Sequence, residues 1–586
     1  MKGGKSARPG AARAGWGQWR RRCPRSDGAD GSATHAVIRS TGGARVLAAP
    51  RAGSPARWGD CALGDGAKAG AGARQQGRGG SLAGASTREG LKPTLVNDSP
   101  APPAPPAAPA PPPAPAPPAA PAPPAVLREV APPRGAHDGR GRLPARARLA
   151  ALAGAGLGAL SRATGRGAGS VVGGHAILAL EPRALARFSA GRSVVLVSGT
   201  NGKTTTTKLL AQALSASSGE KVVTNIAGAN LPTGLAAALA AGEPGLPAVL
   251  EVDEAWLPRV AAEVGPAALV LLNLSRDQLD RNNEVRQVSE RWREACEGLP
   301  PGAVVVANAD DPLVTWAALA ARSARWVGAG LSWTNDAGGC PQCGGPVSFG
   351  PGLLASPSPD PAGPSPAPAT TRHPAPGGWQ CTSCGLSRPT LAAWLDTSVA
   401  GGLAVDASGA ANELALRLPG RCNQANAVMA LEALRAFGYD AEAALSPMAR
   451  VDEVAGRYAT VRAGRTTARL LLAKNPAGWA EVFDMVAPSP GPVVVAINAR
   501  TADGHDPSWL WDVPFERFRG RHVVATGERR LDLAVRLHYA EVDHVCLPGL
   551  TEALEAAGPG TADVVANYTA FHQILAALRQ AKGGRP

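Results

Sequence analysis

No run of about 18 uninterrupted apolar residues occurs in the chain, so no membrane-spanning helix is expected. The basic N-terminus lacks the apolar stretch of a secretory leader, and none is expected. The nine cysteines make no disulfide framework. Cys23, Cys61, Cys296, Cys422 and Cys546 stand alone, and the other four form one tight quartet. Charge is also missing where a nucleic-acid binder would need it. The net charge is +14, yet residues 1–150 hold 23 Lys and Arg against 8 Asp and Glu, and the rest hold 37 against 38. The part expected to fold is neutral, so no basic binding face and no nucleic acid partner are expected. A length of 586 residues suggests roughly three or four domains.

What is present centres on Ser193-Val-Val-Leu-Val-Ser-Gly-Thr-Asn-Gly-Lys-Thr. Val194 to Val197 read as a buried strand, Gly199, Thr200, Asn201 and Gly202 as a turn, and Lys203 as the start of a helix. Strand, glycine turn and helix aim backbone N–H groups at a phosphate. Lys203 would reach the outer phosphates of ATP, Thr204 would hold Mg²⁺, and Thr205 follows as a further nucleotide position. The usual first glycine of such a loop is replaced by Val197, which makes this a shortened G-T-N-G-K-T form. An ordinary strand-to-helix turn is the plain alternative. A nucleotide site also suits a reducing compartment, in keeping with the unpaired cysteines.

Residues 1–143 are rich in Gly, Arg, Ala and Ser and run into Ala-Pro repeats from Ala101 to Pro124. They are expected to be disordered and extended, either a basic tether or an extension without a role. Residues 146–163 read as a helix, 176–180 as a short strand and 182–188 as a helix. Beyond the glycine loop, 221–226 read as a strand, 228–234 as a loop and 235–241 as a helix. Ala248-Val-Leu-Glu-Val-Asp-Glu254 places Glu251, Asp253 and Glu254 at and just past a strand end, where a parallel sheet presents ligands to a nucleotide. Residues 268–273 add a strand and 303–312 a strand and turn. The alternation implies α/β architecture with a doubly wound, mainly parallel sheet.

Cys340-Pro-Gln-Cys343 and Cys381-Thr-Ser-Cys384 form paired CxxC motifs. Four thiolates suit tetrahedral Zn²⁺ and leave no open position, so a structural zinc ribbon is expected; a redox dithiol is the alternative. The low-complexity stretch 356–378 lengthens the ribbon, at a closure cost that grows only logarithmically. Farther on, Asn423 and Asn426 share one helix face and could bond a nucleobase, unless Asn423 only caps the helix. From residue 456 a second, smaller α/β block begins, with strands at 468–476, 491–498, 521–526, 543–547 and 562–568. Within it lies Ala502-Asp-Gly-His-Asp-Pro-Ser-Trp-Leu-Trp-Asp512. Such a loop can mark a partner or catalytic surface, or simply tuck its Trp residues into the core.

Over residues 145–586 these motifs together resemble the Mur ligase family, in its MurT-type branch. The carriers are G-T-N-G-K-T at 199–204, N-L-x-R-D-Q-L-D-R at 273–281, the four cysteines, N-x-x-N at 423–426, A-K-N-P-A-G at 473–478, the Trp-rich loop at 502–512 and N-Y-T-A at 567–570. Beyond the compositional tail over 1–143, the resemblance implies a central ATP-binding domain over 144–455 with the zinc ribbon inserted at about 336–390, and a C-terminal α/β domain over 456–586. It implies ATP-dependent amidation of the D-glutamate α-carboxyl of lipid II through an acyl phosphate, in peptidoglycan synthesis. The place implied is the cytoplasmic face of the membrane, with membrane contact only through the lipid-linked substrate.

Residue by residue, the resemblance makes Lys203 the phosphate lysine, Thr204 and Glu251 the Mg²⁺ ligands, Asn423 and Asn426 the adenine-side asparagines, and Arg457 an arginine near the phosphates. No G-x-C-x-G nucleophile elbow occurs, and the resemblance implies that ammonia comes from a separate GatD-type glutaminase in a heterodimer. Asp506, with Asp503 as the alternative, would complete that partner's Cys-His pair. The chain departs from the family in having no lysine between Arg281 and Ala303, and in Cys422, Ser275 and Asn282 where aromatics are usual. Two other readings are an amino-acid or folylpolyglutamate-type ligase, and a nucleotide-switched zinc-ribbon protein on nucleic acid. The Cys quartet and the Trp-rich loop speak against the first, and the neutral charge beyond residue 150 against the second.

Overall fold

The structure is a computed structural model that describes residues 143–164, 169–225, 229–276, 285–350, 377–452, 454, 457–463, 465–487 and 491–583. The expected tail up to residue 142, residues 277–284 with the D-Q-L-D-R half of their motif, and all but the end of the low-complexity stretch lie outside the described residues.

Three helices lead in: α1 (Ala145–Ala163), α2 (Ser170–Leu180) and α3 (Ala184–Ser189). The strand expected at 176–180 is instead the last half of α2. Its apolar run is too short to fix a period, and glycine contacts decide the matter. A Cβ on Gly154 of α1 would stand 2.9 Å from Gly173 O, and one on Gly173 2.6 Å from Gly154 O. The two helices therefore pack backbone to backbone, and that tertiary contact overrides the low helix propensity of glycine.

The first sheet contains β1 (Val194–Ser198), β2 (Ala248–Glu251), β3 (Ala268–Leu271), β4 (Val304–Asn308) and β5 (Ala324–Gly328). A separate hairpin follows, β6 (Val347–Phe349) with β7 (Trp379–Cys381), and then β8 (Ala393–Asp396), β9 (Leu403–Asp406) and β10 (Ala411–Glu413). The sheet order is β10-β9-β8-β5-β4-β3-β1-β2. All pairs from β2 to β8 are parallel, and β9 and β10 close the far edge antiparallel.

Helices cover both faces, which is why the strands read as continuous apolar runs. Val195 and Val197 join one core with α4 (Lys203–Ser218), α9 (Arg421–Ala436) and α10 (Glu442–Ala449). Val194 and Leu196 join the other with α1 to α3, α5 (Pro232–Ala241), α6 (Leu257–Val264), α7 (Val285–Glu297) and α8 (Pro312–Ala318). The strand expected at 221–226 is reduced to one bridge, Val223 to Ala248. Beyond it the Asn225 side chain replaces the ladder: its Oδ1 accepts from Glu251 N at 2.8 Å and its Nδ2 donates to Glu251 O at 2.8 Å.

The second sheet runs β11 (Tyr458–Ala463), β12 (Thr466–Leu472), β16 (Gly560–Ala566), β13 (Val493–Ala496), β14 (Val523–Thr526) and β15 (His544–Cys546) in spatial order. It is parallel except for the β11–β12 hairpin. Val493 and Val495 face α11 (Pro476–Val486) and α12 (Arg530–Tyr539), while Val494 and Ala496 face α13 (Leu550–Ala557) and α14 (Tyr568–Gly583). Trp479 and Phe515 meet edge to face at 4.9 Å in the first of these cores, a geometry that adds to simple burial.

Candidate active site

The glycine loop joins β1 to α4. Gly199 and Gly202 hold φ of 151° and 87°, left-handed values that glycine adopts without strain. A Cβ at Gly202 would also stand 2.5 Å from Asn426 Oδ1. The loop is fastened from the next strand: Asn201 N donates to Asn273 Oδ1 at 2.9 Å and Asn273 Nδ2 donates to Asn201 O at 3.0 Å. Ser275 N donates to Thr200 Oγ1 at 3.0 Å, and that hydroxyl donates to Ser275 O at 3.1 Å. The loop is thus preset around the N-terminus of α4, whose first N–H groups have no partner within the helix.

Lys203 is buried, with Nζ donating to Gly199 O at 2.5 Å and to Glu254 Oε2 at 2.9 Å. Thr204 Oγ1 donates to Glu251 Oε2 at 2.7 Å and accepts from Arg457 Nε at 3.0 Å. Asn230 Nδ2 donates to Glu251 Oε1 at 3.4 Å. The Thr204 hydroxyl and the Glu251 carboxylate are hard oxygen donors side by side, a set that fits Mg²⁺. Arg457 arrives from the second sheet; its own carbonyl accepts from Leu472 N at 3.0 Å at the end of β12. A second bridge runs the same way, Asn201 Nδ2 to Asn475 Oδ1 at 3.5 Å. Asn475 caps α11 by accepting from Gly478 N at 2.8 Å.

Beside the loop opens a cleft of about 1130 Å³, its mouth included, lined by Thr205, Asn423, Asn426, Cys422, Trp333 and Glu481 among others. Asn423 does not cap α9. Gly420 occupies the cap with φ 91°, and Asn423 Nδ2 donates back to Pro419 O at 2.6 Å. Burial raises the Glu481 carboxyl above its usual range although Arg421 draws it down, and Ser332 Oγ donates to it. Burial, reinforced by that carboxylate, pushes the Cys422 thiol well above the ordinary thiol range. Behind the cleft, Asp311 accepts from Leu274 N at 2.8 Å, Leu313 N at 2.9 Å and Val314 N at 3.3 Å. Burial lifts its carboxyl to about 6 against the pull of those bonds.

The four cysteines come together. The Cys340 and Cys384 sulfurs are 3.7 Å apart, those of Cys343 and Cys381 3.5 Å, and all four lie within 4.8 Å of one another. Tetrahedral zinc with Zn–S of about 2.3 Å puts sulfurs roughly 3.8 Å apart, so the cluster could hold that ion. The backbone N–H of Cys384 helps draw the Cys381 thiol down to about 6. The hairpin is anchored to the sheet by Trp379 Nε1 donating to Ala309 O at 2.8 Å and by Arg388 Nη1 on Asp310 Oδ1 at 2.9 Å.

The Trp-rich loop packs Trp509 and Leu510 into the core beside α11 and α12, bonds to the start of α14 through Asp503, and brings Asp512 within 3.7 Å of Arg276. Asp503 is buried, its carboxylate taken by Thr569 N at 2.8 Å, by the Thr569 hydroxyl and by Arg500 N at 3.3 Å. Asp506 is exposed and accepts from Ser508 N at 2.8 Å. Trp509 is buried and Trp511 exposed, so the loop both packs and presents.

Sequence reasoning missed the Glu254 partner of Lys203, the Asn273 clasp and the Asn201–Asn475 bridge. Glu254 stood among the three noted carboxylates, and all three asparagines lay inside quoted motifs. Which of their atoms meet depends on the register of β1 with β2 and β3 and on how the second sheet meets the first.

A parallel sheet with a phosphate loop at its carboxyl edge, reached by an arginine from a second α/β unit, defines the Mur-type ATP-dependent ligases. Residues 197–336 match the family model of the Mur ligase middle domain, and residues 472–571 that of the MurT ligase C-terminal region. The chain is 30% identical over 393 residues to the lipid II isoglutaminyl synthase (glutamine-hydrolyzing) subunit MurT of Streptococcus pneumoniae, covering 63% of this chain and 82% of that protein. It is 28% identical to the same subunit from Staphylococcus aureus, covering 67% and 89%. The solved MurF of Acinetobacter baumannii shares the fold at a TM-score of 0.50 and 15% identity, over 69% of this chain and 80% of that one. The chain belongs to the Mur ligase family, and within it to the MurT ligases.

Proposed function

We propose that this chain is the synthetase subunit of a lipid II amidating enzyme, working as two bodies over residues 144–455 and 456–586. The observation that carries the reading is that the Thr204 hydroxyl, one residue past the buried Lys203, bonds both to Glu251 and, from the second sheet, to Arg457. ATP would lie with its base in the cleft by Asn423 and Asn426 and its phosphates over the glycine loop. The substrate's α-carboxylate oxygen attacks the γ-phosphorus, ADP leaves, and an acyl phosphate results. Ammonia then attacks the acyl carbon, loses a proton, and inorganic phosphate leaves as the amide forms.

No side chain here needs to be a nucleophile; the work is positioning and charge neutralisation. Lys203 would turn from Glu254 toward the phosphates, and Arg457 would offset charge on the transferring group. Thr204 and Glu251 would hold Mg²⁺, which when bound supplies the remaining positive charge. The four cysteines would hold structural zinc.

Ammonia would come from a GatD-type glutaminase docked on the C-terminal block, the nitrogen donor being glutamine. Asp506 fits the role of orienting that partner's histidine, because its carboxylate is exposed while that of Asp503 is engaged. The test is ¹⁵N-ammonium incorporation into lipid II with and without ATP, followed by the same assay with glutamine and the partner. ATP-dependent label supports the reading. ATP turnover driven instead by a free amino acid would favour an amino-acid ligase.

A further inference from the structure

The α1–α2 helix pair is built inside out. Its contact surface is glycine: a Cβ at Gly154, Gly158, Gly169 or Gly173 would meet the facing backbone at 2.2 to 3.1 Å. Apart from Ile177, buried against Gly154, and the half-buried Leu178, its large apolar side chains are exposed. Leu149, Leu152 and Leu160 are 65%, 70% and 59% exposed, and Val171, Val172 and Leu180 are about half exposed with them. Of fifteen exposed large apolar side chains among the described residues, seven fall between Leu149 and Leu180. Small residues at a helix–helix contact with bulky ones outward is the arrangement that lipid favours, and a contiguous patch of this kind marks an interaction surface.

The charge around the patch selects the partner. Between Asp138 and Glu181 there is no acidic residue, and six arginines lie in that interval. Of these, Arg146, Arg148 and Arg162 are exposed on α1. No helix among the described residues is long and apolar enough to cross a membrane, so the pair suits lying on a bilayer rather than spanning it. The patch also continues toward the reaction centre. A Cβ at Gly174 of α2 would meet Thr233 O at 2.0 Å, and nearby Leu231 is 45% exposed. Leu231 directly follows Asn230, whose amide reaches Glu251.

We infer that the outer face of α1 and α2 is a membrane-docking surface for anionic bilayers, seating the chain on the lipid that carries its substrate. This rests on the proposed function only for its use; the docking itself does not require it. It replaces the expectation that membrane contact is made solely through the substrate.

The test is flotation of the full chain with vesicles of phosphatidylcholine alone and with anionic phosphatidylglycerol added, beside the variant Leu149→Gln/Leu152→Gln/Leu160→Gln. The basic N-terminal residues are identical in both proteins, so the difference reports the apolar face. Wild type should float with anionic vesicles, and part of that binding should survive about 1 M salt, where screening leaves little attraction between charges. The variant should bind at least tenfold more weakly, amidate lipid II in vesicles at least tenfold more slowly, and amidate a soluble, lipid-free muropeptide as wild type does.

Equal flotation of both proteins would overturn the inference. So would wild type that ignores vesicles and is monomeric, or that forms a dimer abolished by the variant, which would make the face a self-interface. If neither protein amidates anything yet the variant alone loses vesicle binding, the proposed function fails and the docking surface stands.

Discussion

Arg457 Nε donates to Thr204 Oγ1 at 3.0 Å, joining residues 253 positions apart. One belongs to the loop that leads into the second sheet and the other to the first turn of the helix behind the glycine loop. The same Thr204 hydroxyl donates to Glu251, so one oxygen ties both sheets to the carboxylate expected to hold the metal. A ligand that engaged Thr204 would be sensed on both sides of the cleft.

Arg457→Ala should therefore lower kcat by about 10- to 100-fold while leaving the melting temperature nearly unchanged. Hydrogen bonds to a charged group are worth about 1.5–3 kcal/mol, and in a phosphoryl transfer that energy appears mainly in the rate. Steady-state kinetics with thermal melts check it. A change confined to KM for ATP would mean that Arg457 binds nucleotide without acting on the transfer.

Asp506→Asn should abolish amidation from glutamine in the complex and leave amidation from ammonium intact. Asp503→Asn should behave differently. Its carboxylate holds Thr569 and the Arg500 N–H, so its loss should cost about 1–3 kcal/mol of stability and depress both reactions. Parallel assays with the two nitrogen sources, together with denaturant unfolding, separate the two aspartates.

Zinc removal should loosen the β6–β7 hairpin and, through Trp379 and Arg388, the turn that follows β4 in the first sheet. The purified chain should contain about one zinc per molecule by elemental analysis. Cys381→Ser should lower the melting temperature by roughly 4–8 °C if the ribbon contributes ~2 kcal/mol. Zinc-free protein with unchanged melting would contradict the structural assignment.

The buried Asp311 should leave a signature in stability against pH. Its folded pKa of about 6 lies above the ordinary value of about 3.9. Between those values the folded chain keeps a proton that the unfolded chain has lost, so this group's contribution falls as pH rises from about 4 to about 6 and is level above. The full effect is at most ~3 kcal/mol. Asp311→Asn should remove that slope, so its stability relative to wild type should improve between about pH 4 and about pH 6. A pH-independent difference, measured by urea unfolding, would contradict the shift.

Much of the architecture is legible in local pattern. The run of Val194 to Val197 before Gly199 and Gly202, the apolar strands and the paired cysteines each state their own geometry. The reading fails where tertiary contacts decide. Residues 176–180 carry a strand-like apolar run, yet Gly173 and Gly174 let neighbouring backbone approach so closely that a helix wins. Residues 221–226 look like a strand, yet the Asn225 side chain takes the place of ladder bonds to Glu251. In the site, the glycine-loop motif names Lys203 and Thr204 and the family resemblance adds Arg457, whereas the pairing of Lys203 with Glu254 depends on how far β2 overlaps β1. The outward leucines of α1 read from sequence as an ordinary helix because nothing local says that its inner face is Ala147, Ala150, Gly154, Gly158 and Ser161.

The most direct measurement is isotope-resolved mass spectrometry of lipid II incubated with this chain, ATP, Mg²⁺ and ¹⁵N-ammonium. One ¹⁵N on the D-glutamyl α-carboxyl, dependent on ATP and lost in Lys203→Ala, is the expected result. No label under any condition, with ATP hydrolysed only when a free amino acid is supplied, would contradict amide formation from ammonia.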